Sequence, residues 1–207
     1  MEYKMKPTAE NFTSNRVVVE NATLDGENVT RIYKEVGFWE PDSSTYAILN
    51  GVQFHNGTIE MRLRSRFRPD APDYARGFIG FVFRASENNA EFESFYVRPT
   101  NGRSCTDPVR KKHGCQYFSY PGYTFSYFRD FGISDYEAPV DLELDEWLTI
   151  KAVIKDETAS FYLNGAEEPL LVVPKMKHGV GEKGAVGVYV DNGTEGYVSD
   201  IKVTCED

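Results

Sequence analysis

Apolar and polar residues alternate with a period of two along most of the chain, and a period of 3.6 is almost absent. Ile59, Met61, Leu63 and Phe67 alternate with Glu60, Arg62, Arg64 and Arg66. Leu148, Ile150, Ala152 and Ile154 alternate with Trp147, Thr149, Lys151 and Lys155. Phe161 and Leu163 alternate with Ser160 and Tyr162, and Asn164-Gly165 then signals a tight turn, because both central residues of a type I′ turn need positive φ. Further strand-like runs cover 78–84, 92–98, 169–173, 185–190 and 197–203, with shorter ones near 17–20, 30–36 and 46–49. The pattern predicts ten or more strands and no long helix. Neither a repeat nor a Pro/Ser-rich linker divides the chain, so one all-β domain over 1–207, a sandwich or barrel, is expected. Asn56-Gly57-Thr58 opens one strand and Asn192-Gly193-Thr194 precedes the last, which suits two strands lying side by side.

Composition narrows the function classes. With 23 basic and 32 acidic residues the 207-residue chain carries a net charge of −9, which argues against nucleic acid as a partner. No apolar run approaches the roughly 20 residues that span a bilayer, so no membrane association is expected. The N-terminus, Met1-Glu2-Tyr3-Lys4, lacks the apolar stretch of a signal peptide, and the expected location is cytoplasmic unless an export signal has been removed. Five N-x-S/T sequons, at Asn11, Asn21, Asn28, Asn56 and Asn192, read as turn chemistry. Cys105 and Cys115 flank a short polar loop and are expected either to bridge or to stay free thiols, well ahead of a zinc site with His113. The aromatic content is high, with 13 Tyr, 14 Phe and 2 Trp, and nine of these rings fall between Tyr117 and Tyr136. Such rings either fill a β-rich core or form a platform that stacks a flat ligand.

The segments FHNGTIEMRLRSRF, GFIGFVFRASENNAEFESFYVRP, EWLTIKAVIKDETASFYLNG and GAVGVYVDNGTEGYVSDIKV together resemble the concanavalin A-like lectin/glucanase superfamily, over about residues 45–203. The resemblance implies two antiparallel sheets in a jelly roll, one of them concave. It also implies one of the superfamily's functions: lectin, carbohydrate-binding module, laminin-G-like interaction domain, glycosidase or polysaccharide lyase. A carbohydrate ligand on the concave sheet is the leading expectation; a glycosidase or lyase, or a laminin-G-like protein-interaction domain, is the alternative. In proteins this stretch resembles, the Arg and Tyr of the paired strands lie near the ligand groove together with a downstream Gln-Tyr, here Gln116-Tyr117.

The candidate binding residues are Arg84, Glu93, Tyr96, Arg98, Gln116, Tyr117 and Tyr123. Tyr96 and Arg98 share parity, so one strand face offers a ring for C–H stacking and a guanidinium fork for hydroxyls or a carboxylate. The competing reading is a structural Arg–Glu pair tying adjacent strands. If the protein is an enzyme, Glu93 is the acid/base candidate, supported by Tyr96 or Arg98. Tyr123, Phe125 and Tyr127 share one face if their segment is extended. The ladder Arg62, Arg64, Arg66 and Arg68 suits uronate or sulfate, so an anionic sugar is one option, but a solvated face paired with acidic neighbours is favoured. Asp141, Glu143, Asp145 and Glu146 depart from the E-x-D-x-E order of jelly-roll glucanases and read as loop. Gly179-x-Gly181-x-x-Gly184 precedes a strand rather than a helix and reads as a turn, not a dinucleotide site. No cofactor is expected; a structural calcium ion near Asp191 and Asn192 is a weak alternative that rests on oxygen ligands alone. Oligomeric state is left open.

Overall fold

The computed structural model describes residues 1–206, in which fifteen strands build two antiparallel sheets. In chain order they are β1 (Glu2–Met5), β2 (Phe12–Asn15), β3 (Val17–Leu24), β4 (Glu27–Lys34), β5 (Tyr46–Phe54), β6 (Asn56–Phe67), β7 (Ile79–Ala85), β8 (Phe92–Val97), β9 (Cys115–Tyr120), β10 (Glu137–Ala138), β11 (Leu148–Lys155), β12 (Thr158–Leu163), β13 (Leu171–Val173), β14 (Gly184–Val190) and β15 (Thr194–Glu206). The eight-stranded sheet runs β13-β12-β11-β6-β15-β4-β3, with β1 added beside the second half of β15. The seven-stranded sheet runs β10-β9-β8-β7-β14-β5-β2. The two Asn-Gly-Thr segments do belong to adjacent strands: β6 pairs with β15 from Asn56↔Glu206 to Phe67↔Thr194.

Burial explains the sequence rhythm. On β11, Leu148, Ile150, Ala152 and Ile154 point into the sandwich while the residues between them face outward. They meet Phe81, Phe83, Phe95 and Val188 of the opposite sheet in one continuous core. Strands β7, β8 and β14 instead bury every residue, because rings seal the outer face of the seven-stranded sheet as well. Tyr46, Val82, Phe92, Tyr96, Phe118 and Tyr189 form that outer layer, with Phe128 laid over it. Strands covered on both faces lose the strict alternation of one-sided strands.

Three local features bear on the expectations. The segment after β9 is not extended: Phe125–Asp130 forms a short helix, α2, so Tyr123, Phe125 and Tyr127 do not share a strand face. Asn164 and Gly165 take φ of 52° and 75°, and Ala166 N–H donates to Leu163 O, as the Asn-Gly turn demands. Cys105 and Cys115 are free thiols rather than a bridged pair, and burial pushes the Cys115 thiol up to about 12, so it behaves as an apolar core group.

Candidate functional site

Antiparallel pairing brings the start of β7, the end of β8 and the end of β14 to one end of the seven-stranded sheet. There the outer layer opens into a cavity of about 760 Å³. Phe78 and Tyr96 contribute rings, edge to face at 5.9 Å, while Tyr74 and Phe125 stand half-exposed at 50% and 40%. The loop 68–78 supplies Tyr74 and Arg76, the turn after β14 supplies Asp191 and Asn192, and α1 (Pro108–Lys111) and α2 supply Arg110, Phe125 and Arg129. In the turn after β14, Thr194 N–H donates to Asp191 O and Gly193 holds φ of 70°; a Cβ there would meet Ala71, Pro72 and Ala75 at 2.8–2.9 Å. Glycine is therefore required where the 68–78 loop folds over the turn.

Beside this cavity lies a buried network. Arg98 Nη2 donates to Tyr96 Oη at 2.7 Å and to Gln116 Oε1, which also accepts from Tyr96 Oη at 2.7 Å. Arg98 Nη1 donates to His113 O at 3.1 Å and to Glu137 Oε1 at 2.8 Å. Arg129 reaches the same carboxylate oxygen at 2.9 Å, and His113 Nδ1 stands 2.9 Å from Glu137 Oε2. Burial alone would lower the Arg98 pKa, but Tyr96 and Glu137 reverse this and raise it. His113 is lowered, chiefly by burial and then by the Arg129 and Arg98 cations against Glu137, so it is neutral at pH 7.

Asp42 is the unusual carboxyl. Its Oδ2 accepts from Phe125 N–H at 2.9 Å, and its own N–H donates to Asp191 Oδ2 at 3.1 Å. Burial, reinforced by the Asp191 carboxylate, pushes it up to about 7, with Arg98 and Lys34 opposing. Asp191 Oδ1 accepts from the Lys34 ammonium at 2.9 Å and from the Asn192 N–H at 2.7 Å.

The predicted site residues divide between two ends of the sheet. Tyr96, Arg98 and Gln116 cluster as described. Arg84 and Glu93 sit at the opposite end, in a notch of about 1000 Å³ together with His178. Arg84 occupies a β-bulge with φ of 51°, where Ala85 pairs with Ala185 but Val82 with Gly187. The bulge turns its fork toward the sandwich end, onto His55 O at 3.0 Å, Asn56 Oδ1 at 3.1 Å and Asp156 O at 2.7 Å. Glu93 faces the core and accepts from Tyr117 Oη at 2.7 Å, from Ser119 Oγ, and from His178 N–H at 3.2 Å; burial raises its pKa despite these bonds. Tyr117 is fully buried, and Tyr123 packs on Tyr127 and His178, away from the cavity. Phe92, sealed at 1% exposure, and the partly buried His178 are the ring-bearing residues that line the notch.

The other candidates resolve locally. Arg64 pairs with Asp25 at 2.6 Å and Asp145 at 2.7 Å, Arg66 with Asp145, Arg62 with Glu27 at 3.0 Å, and Arg68 with Asp70 at 2.9 Å; the ladder is a partly buried face paired with acidic neighbours. Asp141 pairs with Arg103, and Glu143 accepts from Ser104. Gly179 lies in a turn and Gly181 in the irregular segment between that turn and β14, both at positive φ. At Asp191 and Asn192 both side-chain oxygens accept from Lys34 Nζ, at 2.9 and 2.7 Å, so an ammonium occupies the place proposed for calcium. Among the described residues no group of three or more His, Cys, Asp or Glu is arranged to hold a metal ion.

No protein-family model and no curated protein sequence matches the chain. Solved structures do. The carbohydrate-binding module CBM66 from Bacillus subtilis superimposes with a TM-score of 0.63 at 10% identity, over 94% of this chain and 96% of that one. A Bacillus subtilis protein with a galectin-like fold gives 0.58 at 11% identity, over 97% and 94%. A glycosidic hydrolase gives 0.51 at 11% identity, over 100% and 96%. The fold is a concanavalin A-like jelly roll.

Of the residues in or beside the cavity, the sequence reading names Tyr96, Arg98 and Gln116 but not Asp42, Tyr74 or Arg76. Those three sit on loops without periodicity. The available signal is topological: a residue just before β7 must meet residues just after β8 and β14, once the pairing of the strands is known.

Proposed function

We propose that the protein binds a carbohydrate in the cavity beside Tyr96 and Arg98. The observation that carries this reading is the combination, in one cavity, of half-exposed rings at Tyr74 and Phe125 with Asp42 and the arginines. Rings offer faces to sugar C–H groups, and fixed polar groups select the hydroxyls between them. The likeness to a carbohydrate-binding module supports the same ligand class. Calorimetric titration against a glycan panel tests it: saturable binding is expected, weakened about tenfold in Tyr74→Ala, the loss of one stacking contact. An unchanged affinity in Tyr74→Ala, or no binding across the panel, removes the reading.

A second reading, glycoside hydrolysis, is favoured by Asp42. A carboxyl raised to about 7 retains a proton near neutral pH and can deliver it to a leaving oxygen. Under this reading the acid is Asp42 rather than Glu93, which lies in the other notch. Release of new reducing ends, lost in Asp42→Asn, would establish it; binding without turnover leaves the protein a binding module.

A further inference from the structure

Four arginines line the cavity, and they are not equivalent. Arg98 and Arg129 share the Glu137 carboxylate. Arg76 and Arg110 bond only to neutral groups. Arg76 Nη1 donates to Asp73 O at 2.8 Å and Ala75 O at 2.7 Å. Arg110 Nε donates to Asn101 Oδ1 at 3.1 Å, and its Nη2 to Thr100 O at 3.2 Å. Among the described residues neither guanidinium has an ion-pair partner within 4 Å, in a chain whose net charge is −9. The acids in the same cavity are otherwise engaged: Asp191 by Lys34 and Tyr189, Asp42 by the Phe125 N–H.

The two forks are also held near each other. Thr100 N–H donates to Arg76 O at 3.4 Å while Thr100 O accepts from Arg110, so one residue ties both arginines to the same turn. Burial, then the Arg110 and Arg98 cations, lowers the Arg76 pKa, which is what a crowd of like charges without a counterion does. An incoming anion relieves that crowding. A guanidinium fork matches a carboxylate in two parallel hydrogen bonds, which a neutral hydroxyl cannot reproduce.

We propose, on the reading that this cavity holds a carbohydrate, that its ligand is an acidic sugar whose carboxylate seats on Arg76 and Arg110. The rings at Tyr74 and Phe125 then face the sugar, and the cationic pair selects uronate residues over neutral ones.

The test compares the full chain binding to oligomers of galacturonate, glucuronate, mannuronate and guluronate with binding to their methyl esters and to neutral oligosaccharides. At least one acid form is expected to bind about tenfold tighter than its ester, the scale of one charge-assisted pairing. That preference should weaken as salt rises and fall below about twofold in Arg76→Gln and Arg110→Gln. Lys155→Gln, on the other sheet, should keep it. Arg76→Lys, which keeps the charge and loses the fork, should fall between, and serves if Arg76→Gln melts early. Equal affinity for acids and esters, or binding of neutral glycans alone, overturns the inference and leaves the carbohydrate reading standing. No binding of any glycan overturns both.

Discussion

Arg98 and Glu137 form an ion pair of 2.8 Å in which the two side chains are only 5% and 2% exposed. The pair joins the end of β8 to β10 and supports the cavity from beneath. Removing one partner of a buried pair leaves the other charge uncompensated, at a cost of about 3–5 kcal/mol. Glu137→Gln should therefore unfold in urea at a much lower midpoint than the wild type, since it strands both Arg98 and Arg129. Arg129 is 34% exposed, so Arg129→Gln should cost below about 1 kcal/mol. Equal effects of the two variants would show that Glu137 does not depend on the buried partner.

Asp42 makes stability depend on pH in the opposite sense to an ordinary salt-bridged carboxylate. Its folded pKa, about 7, lies above the unfolded value of about 3.9. Between these values the folded state binds more protons than the unfolded state, so stability from this group falls as pH rises. Melting temperature should decline more steeply from pH 5 to pH 8 in the wild type than in Asp42→Asn, which keeps an oxygen to accept from Phe125 N–H. Parallel profiles would remove Asp42 as a titrating group in that window.

Glu93 and the cavity should be separable. Glu93 accepts from Tyr117, Ser119 and the His178 N–H at the far end of the sheet, and its pKa is raised by burial. Glu93→Gln removes the charge and keeps one of the two acceptor oxygens, at the far end of the sheet from the cavity, so glycan affinity of the folded variant should match the wild type within about twofold. Titration calorimetry checks this, and a large loss would bring the notch into the binding surface.

How far the sequence could be read differed between strands and loops. Period-two alternation identified β6 and β11 because each has one wet face, and Asn164-Gly165 located its turn because few residues tolerate positive φ. Parity grouped Tyr96 with Arg98 correctly, since both leave the same regular strand end. It gave no guide to Arg84, because a bulge adds a residue and redirects the side chain. The aromatic excess likewise divided along a line the sequence did not show. Phe118 and Phe128 are sealed against the sheet, while Phe125, at the start of α2, keeps a half-exposed ring at the cavity. Asp42 and Arg76 were out of reach because their place follows from which strand ends meet, a long-range property.

Arg84 should prove to be a structural residue, and its chemistry should be specific to the guanidinium. It is 6% exposed and among the described residues has no carboxylate hydrogen-bond partner, donating instead to His55 O, Asn56 Oδ1 and Asp156 O. These acceptors come from the β5–β6 junction and from the β11–β12 turn, so one planar fork stitches the seven-stranded sheet to the end of the other. Lysine carries the same charge, but its single ammonium cannot span three acceptors held at fixed angles, and it is more strongly hydrated. Hydrogen bonds from a charged donor contribute about 1.5–3 kcal/mol each. Arg84→Lys should therefore lower stability by roughly 2 kcal/mol or more in urea unfolding, with glycan binding at the opposite end retained at saturating folded protein. Arg84→Lys with wild-type stability would mean that charge alone, rather than the fork, holds this end of the sandwich.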